Sequence, residues 1–114
     1  MQFMLVLYSD ETRWPTFDAA QQAQAIASYA AFTEALRKAD AFRSSGRLRP
    51  TSTGATVRVT DAGAEVLDGP YADTKEQLAG FFLIEAADLD AAIAWAARCP
   101  AASHGTVEVL PLWA

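Results

Sequence analysis

The sequence is short of the residues that most often announce a chemistry. It has one cysteine, Cys99, and one histidine, His104. A single thiol excludes an intrachain disulfide framework and a zinc site built on cysteines. A single imidazole has no second ligand at metal-binding spacing. There is no phosphate-cradling Gly-x-x-x-x-Gly-Lys loop, no dinucleotide fingerprint, no Gly-x-Ser-x-Gly elbow and no Cys-x-x-Cys pair. The expectation is therefore no metal and no cofactor. Membrane-length apolar runs are lacking too. Phe3–Tyr8 and Ala79–Ile84 are far too short to cross a bilayer as helices. Met1-Gln2-Phe3 leads into an apolar run with no basic stretch before it, so no secretion signal is read. These features predict a cytoplasmic chain with no membrane contact.

Positive charge is also in short supply. Nine basic residues face 14 acidic ones, a net charge of −5, which argues against general nucleic-acid binding. The basic residues are unevenly spread, however. Arg37, Lys38, Arg43, Arg47 and Arg49 are five of the nine, interrupted only by Asp40. This cluster reads either as a solvated helix end and loop or as a surface for an anion or an acidic protein partner. Cys99 precedes Pro100 at an expected helix end, where the dipole disfavours a thiolate, so it is read as a packing residue.

The 114 residues suit one domain, 1–114, with one core. Phe3–Tyr8 is apolar at every position and reads as a strand covered on both faces. Asp18 is the expected N-cap of a long helix reaching about Ala39. Its stripe is Ile26, Tyr29, Ala30, Thr33, Leu36 and Ala39, widened by Phe32. Ala41-Phe42-Arg43 and Leu48-Arg49 read as short extended pieces around Ser44-Ser45-Gly46. Thr56–Thr60 alternates and is β-branched, and Ala64–Leu67 returns as its hairpin partner after Asp61-Ala62-Gly63. Thr74–Gln77 has capping-box spacing. Ala79–Ala86 is a second strand apolar on both faces. Asp88 caps a second helix whose stripe is Leu89, Ala92, Ile93 and Ala96, and Pro100 ends it. Thr106–Trp113 is the last strand. This order predicts an α+β fold, a ferredoxin-like βαββαβ unit with an inserted β-hairpin.

Two helices cover one face of such a sheet. Phe3, Leu5 and Leu7 point one way along their strand, and Met4, Val6 and Tyr8 the other; Phe81 and Leu83 oppose Phe82 and Ile84 in the same manner. The second apolar face needs a cover. A second copy of the chain supplies one, giving a homodimer; the hairpin with the segment Pro50–Gly54 folding over that face is the alternative.

Asp68-Gly69-Pro70-Tyr71, followed by Ala72–Glu85, resembles the DGPF motif of the YCII-related family. The resemblance continues through Asp88–Ala92, Trp95–Pro100 and His104–Val109, and upstream through Met4–Tyr8 and Thr56–Val59. It spans nearly the whole chain. It implies a dimeric α+β barrel of two ferredoxin-like subunits. It also implies a family whose activity is generally unassigned and whose members often lie beside extracytoplasmic-function sigma factors. Some YCII-related members carry a proposed His/Asp pair in and after the first helix. Here that helix has no histidine; Tyr29 or Phe32 occupies the comparable region, and Asp40 alone cannot form the pair. Tyr71 stands where the motif has Phe.

Three groups could carry chemistry. His104, in a loop beside Gly105, has the pKa class for acid/base work, or simply bonds loop backbone. Glu85 and Glu108, with Arg58 as a partner, form either a polar pocket with His104 or strand-edge charge reaching solvent. Asp68, Tyr71 and Lys75 line a small-molecule site or make a structural clasp in which Asp-Gly-Pro shapes the turn. Three functions follow: a small-molecule-binding protein or cofactor-free enzyme, a regulatory protein-interaction module linked to sigma-factor signalling, or a structural dimer. The sequence does not decide whether the protein is an enzyme.

Overall fold

The computed structural model describes residues 1–113. In chain order its elements are β1 (Gln2–Ser9), α1 (Ala19–Lys38), β2 (Phe42–Arg47), β3 (Ala55–Thr60), β4 (Gly63–Asp68), β5 (Gln77–Glu85), α2 (Leu89–Arg98) and β6 (Thr106–Pro111). Strands β2, β5, β1 and β6 form one sheet in that order, with every neighbouring pair antiparallel. This is the ferredoxin-like arrangement, and β3–β4 is a separate antiparallel hairpin inserted between β2 and β5.

Local sequence explains where the helices begin. The Asp18 carboxylate accepts from the Gln21 backbone N–H at 2.8 Å, and the Gln21 side chain accepts from the Asp18 N–H at 2.9 Å. This reciprocal capping box stabilises the start of α1 by about 1 kcal/mol. Asp88 caps α2 through the Ala91 N–H at 2.8 Å. Beyond α1, Asp40 takes the left-handed conformation, with φ of 55°, which turns the chain into β2.

The core lies between the helices and one face of the sheet. Phe3, Leu5 and Leu7 of β1 and Phe82 and Ile84 of β5 are buried against Phe32 and Leu36 of α1 and Ala92 and Ala96 of α2. Cross-strand register puts Phe3 opposite Ile84 and Leu5 opposite Phe82, so one layer of large side chains spans the sheet centre. Each such side chain contributes about 1.5–3 kcal/mol by leaving water. On the opposite face Met4, Val6, Tyr8, Phe81 and Leu83 are only partly covered. The hairpin stands away from that face: of its strand residues only Thr56 is part-buried.

Two local expectations need correction, and a third point left open by the sequence has an answer. Ser44-Ser45-Gly46, read as lying between two extended pieces, is itself the middle of β2. The pairing Ser44 to Leu83, Ser45 to Phe82 and Gly46 to Phe81 overrides its weak strand propensity. Close approach also matters there, because a Cβ on Gly80 would lie 2.5 Å from the Gly46 carbonyl oxygen. In α2 the buried positions are Ala92 and Ala96, with Trp95 packed beside them, while Leu89 and Ile93 remain 48% exposed. Finally, the capping-box spacing of Thr74–Gln77 leaves a helical turn open, and none forms. The Thr74 hydroxyl donates to the Glu76 carbonyl at 2.6 Å and the Gln77 amide donates back to the Thr74 carbonyl at 2.5 Å.

Candidate functional site

Helix α1 is fastened to the sheet at one end only. Phe32 and Leu36 in its second half are buried, whereas the first half carries mostly Ala and Gln, too short or too polar to reach the sheet. The helix therefore bridges a cavity of about 510 Å³, a size suited to a small organic molecule. Ile26 faces this space and is 56% exposed, which explains why an apolar stripe residue is not in the core.

The deep wall is aromatic and apolar. Tyr29 lies nearly parallel to Phe82, with ring centroids 6.5 Å apart and planes at 9°, and Leu7 and Gly80 of the sheet complete the floor. Burial pushes the Tyr29 hydroxyl up to about 12, with Cys99 raising it further and Arg47 opposing the shift. It is therefore a neutral donor at physiological pH. Among the described residues it has no hydrogen-bond partner.

The mouth is charged. Arg47, at the end of β2, places its guanidinium carbon 4.3 Å from the centroid of the Trp14 ring. Arg13 stands 5.7 Å over the Phe17 ring, and Arg49 also lines the opening. Two carboxylates share the rim, but both are engaged in shaping the loop. Glu11 accepts from the Thr51 N–H and the Thr51 hydroxyl, each at 2.7 Å, and its own N–H donates to Gln77 at 3.1 Å. Asp10 accepts from the Thr12 N–H at 3.0 Å and the Thr12 hydroxyl at 2.6 Å. Those hydrogen bonds hold the Asp10 carboxyl below its ordinary range, with Arg13 and Lys75 adding to the effect.

The residues singled out in the sequence fall at separate places. His104 lines the cleft beside the loop before β6. Lys75 lies within electrostatic reach of Asp10 at its rim. Glu85 sits at the far end of β5, bonded to the Met1 α-ammonium at 2.6 Å. That bond holds its carboxyl below the ordinary range. Arg58 is on the hairpin, 5.7 Å over the Tyr71 ring, and Asp68 is the exposed last residue of β4. Glu108 is on the open face of β6, where its carboxylate raises the nearby Tyr8 hydroxyl. Within one chain, then, His104 is the member of the Glu85, Arg58, Glu108 and His104 set that reaches the cleft. The basic cluster divides as well. Arg37 packs on the Phe42 ring at 4.3 Å and Arg43 bonds the Asp40 and Phe42 carbonyls, both at 3.0 Å, at the end of α1, while Arg47 and Arg49 turn to the cleft. Cys99 is buried, and burial raises its thiol pKa, as befits a packing residue.

Trp14, Phe17, Arg13 and Arg47 were not singled out as one site by the sequence. The available signal was a loop holding two aromatics, Trp14 and Phe17, each with an arginine brought to its face. Among the described residues no group of three His, Cys, Asp or Glu side chains converges as a metal site. Among the described residues no helix is long and apolar enough to cross a membrane.

A two-helix, antiparallel-sheet α+β fold with an apolar cleft under its first helix defines the structural class. The chain belongs to the YCII-related domain family, whose profile matches residues 1–114. It is similar to an uncharacterized protein of Rhizobium meliloti (strain 1021), at 34% identity over 114 residues, covering 98% of this chain and 92% of that one.

Proposed function

We propose that this protein binds a small organic molecule in the cleft between α1 and the sheet, and does so as a homodimer. The observation that carries the reading is the pairing of an apolar, aromatic interior with a few polar groups at the rim, in a volume of about 510 Å³. Ligand sites are commonly built this way: apolar walls supply affinity and a few polar groups set orientation. His104 at the rim and the neutral Tyr29 hydroxyl inside are the groups available for proton transfer if the ligand is turned over. The Asp68–Tyr71 turn supports placing the chain in the DGPF-type branch of its family. The dimer reading rests on the partly covered face of Met4, Val6, Tyr8, Phe81 and Leu83, which the hairpin leaves open.

A thermal-shift screen across metabolite classes tests the binding reading. A ligand that occupies the cleft raises the melting temperature by mass action. Ile26→Glu, which puts a charge into the apolar wall from an exposed helix position, abolishes the rise. Silence across every metabolite class sinks the reading.

A further inference from the structure

We infer that the cleft selects an organic carboxylate, its acid group held at the mouth by Arg47 with Arg13 and its apolar or aromatic body lying against Tyr29 and Phe82. The inference rests on the small-molecule reading above and names the ligand class.

The argument begins with an imbalance of charge. The chain as a whole carries −5, yet three arginines, Arg13, Arg47 and Arg49, line this opening against two carboxylates, Asp10 and Glu11. Asp10 lies within electrostatic reach of Arg13, but among the described residues neither carboxylate forms an ion pair with a cleft arginine. The carboxylate oxygens accept hydrogen bonds from Thr12 and Thr51, and among the described residues the ion pairs are Met1 with Glu85 and Arg43 with Asp40. The cleft arginines therefore keep their hydrogen-bonding capacity for something else.

Their geometry favours an anion of planar shape. A guanidinium lying over an aromatic ring is held in place by that face, while its N–H edge stays available for a two-pronged grip on a carboxylate. Arg47 over Trp14 at 4.3 Å and Arg13 over Phe17 at 5.7 Å are both of this kind. Among the described residues neither is ion-paired to a carboxylate of its own chain. Deeper in, the uncharged Tyr29 hydroxyl is an unpaired donor within electrostatic range of Arg47, fit to give the bound carboxylate a further hydrogen bond. Beyond it the stacked Tyr29 and Phe82 rings can pack an apolar body but offer no second cationic group. The arrangement suits one acid group at one end of an otherwise apolar molecule.

Matched acid and amide probes test this by titration calorimetry at low ionic strength: phenylacetate against phenylacetamide, and hexanoate against hexanamide. Inorganic phosphate serves as a bare-anion control. The expected result is that each acid binds about tenfold or more tighter than its amide, the value of a charge-assisted contact. Added salt should narrow that gap. Arg47→Gln should bring acid and amide to within about threefold, and Arg47→Lys, which keeps the charge but loses the fork, should fall between. Amides that bind as well as the acids overturn the carboxylate inference and leave the small-molecule reading standing. Phosphate binding as tightly as the acids also overturns it, since the apolar body would then contribute nothing. Failure of all four organic probes, in a protein that the metabolite screen does stabilise, overturns the ligand class alone; failure of probes and screen together removes both. Should Arg47→Gln not fold, Arg13→Gln in the loop gives the same comparison, and the wild-type acid-to-amide ratio stands without any variant.

Discussion

The ring of Phe32 meets the ring of Phe82 edge-on, with centroids 5.0 Å apart and planes at 87°. Of the buried side chains of α1, Phe32 and Leu36, Phe32 is the nearer to the cleft, and Phe82 is shared between the core and the cleft wall. The pair therefore marks the boundary between packed interior and cavity. Phe32→Ala removes a ring that is 5% exposed and opens the core directly into the cleft. It should cost about 3–5 kcal/mol, the range for deleting a buried aromatic. Phe32→Leu keeps most of the volume and should cost clearly less. Urea unfolding followed by circular dichroism measures both; a loss for Phe32→Ala near zero would show that α1 does not close the cavity here.

Tyr29 should titrate at about 12, far above its ordinary 10.0, because burial disfavours the phenolate. The neutral form is the one the fold favours. Its contribution to stability is thus fully present below 10.0 and is lost as the pH rises through about 12. In a Tyr8→Phe background, which removes the other raised hydroxyl, ultraviolet titration of tyrosinate should contain a late component that disappears when Tyr29→Phe is added. In Arg47→Gln the same component should move later still, since Arg47 holds it down. A Tyr29→Phe variant in that background whose titration keeps the late component refutes the assignment.

At the other end of β5, the Glu85 carboxylate and the Met1 α-ammonium are 2.6 Å apart. The hydrogen bond from the ammonium holds the carboxyl below its ordinary range. A depressed acid stabilises the fold above its unfolded pKa, and that support is lost as the pH falls through the folded value. The melting temperature of Glu85→Gln should accordingly lie below wild type at neutral pH and converge with it under acid conditions. The pair is solvent-exposed, so the gap should shrink with salt. Parallel pH profiles for the two proteins would refute the linkage.

Much of the architecture was legible because its signals are contiguous. Phe3–Tyr8 and Phe81–Ile84 are unbroken apolar runs, Asp18 with Gln21 is a complete capping box, and Thr56–Leu67 alternates around a tight turn. Strand β2 was not legible at its centre. Ser44-Ser45-Gly46 has turn chemistry, and only pairing with Leu83, Phe82 and Phe81 some forty residues away makes it a strand. The same reason hid the cleft. Trp14, Tyr29, Arg47 and His104 come from four separate segments, and no sequence spacing relates them. His104 could be singled out as the one imidazole in the chain, and Arg47 as one of a basic cluster, but not as neighbours. The half-empty first turns of α1 were visible as a run of Ala and Gln, but that composition reads equally as a solvated helix. Only the sheet beneath turns it into the roof of a cavity.

The open face of the sheet yields the last expectation. Met4, Val6, Phe81 and Leu83 lie on it side by side, opposed across β1 and β5 by the registers Met4 to Leu83 and Val6 to Phe81. Four apolar side chains in one block, on strands whose other side is already packed, are a costly surface to leave wet. The hairpin adds to it: Val57 is paired with Val66, and they are 63% and 62% exposed. A hairpin so little covered by its own chain is marginal by itself. A second copy laid face to face would cover the sheet and leave the cleft, on the helix side, open to its ligand. Light scattering at micromolar concentration should return twice the 12.2 kDa of one chain. Val6→Asp combined with Leu83→Asp should return a single chain, with the far-ultraviolet spectrum retained because neither residue points into the helix-side core. A wild-type mass of one chain would refute the dimer while leaving the cleft and its arginines untouched.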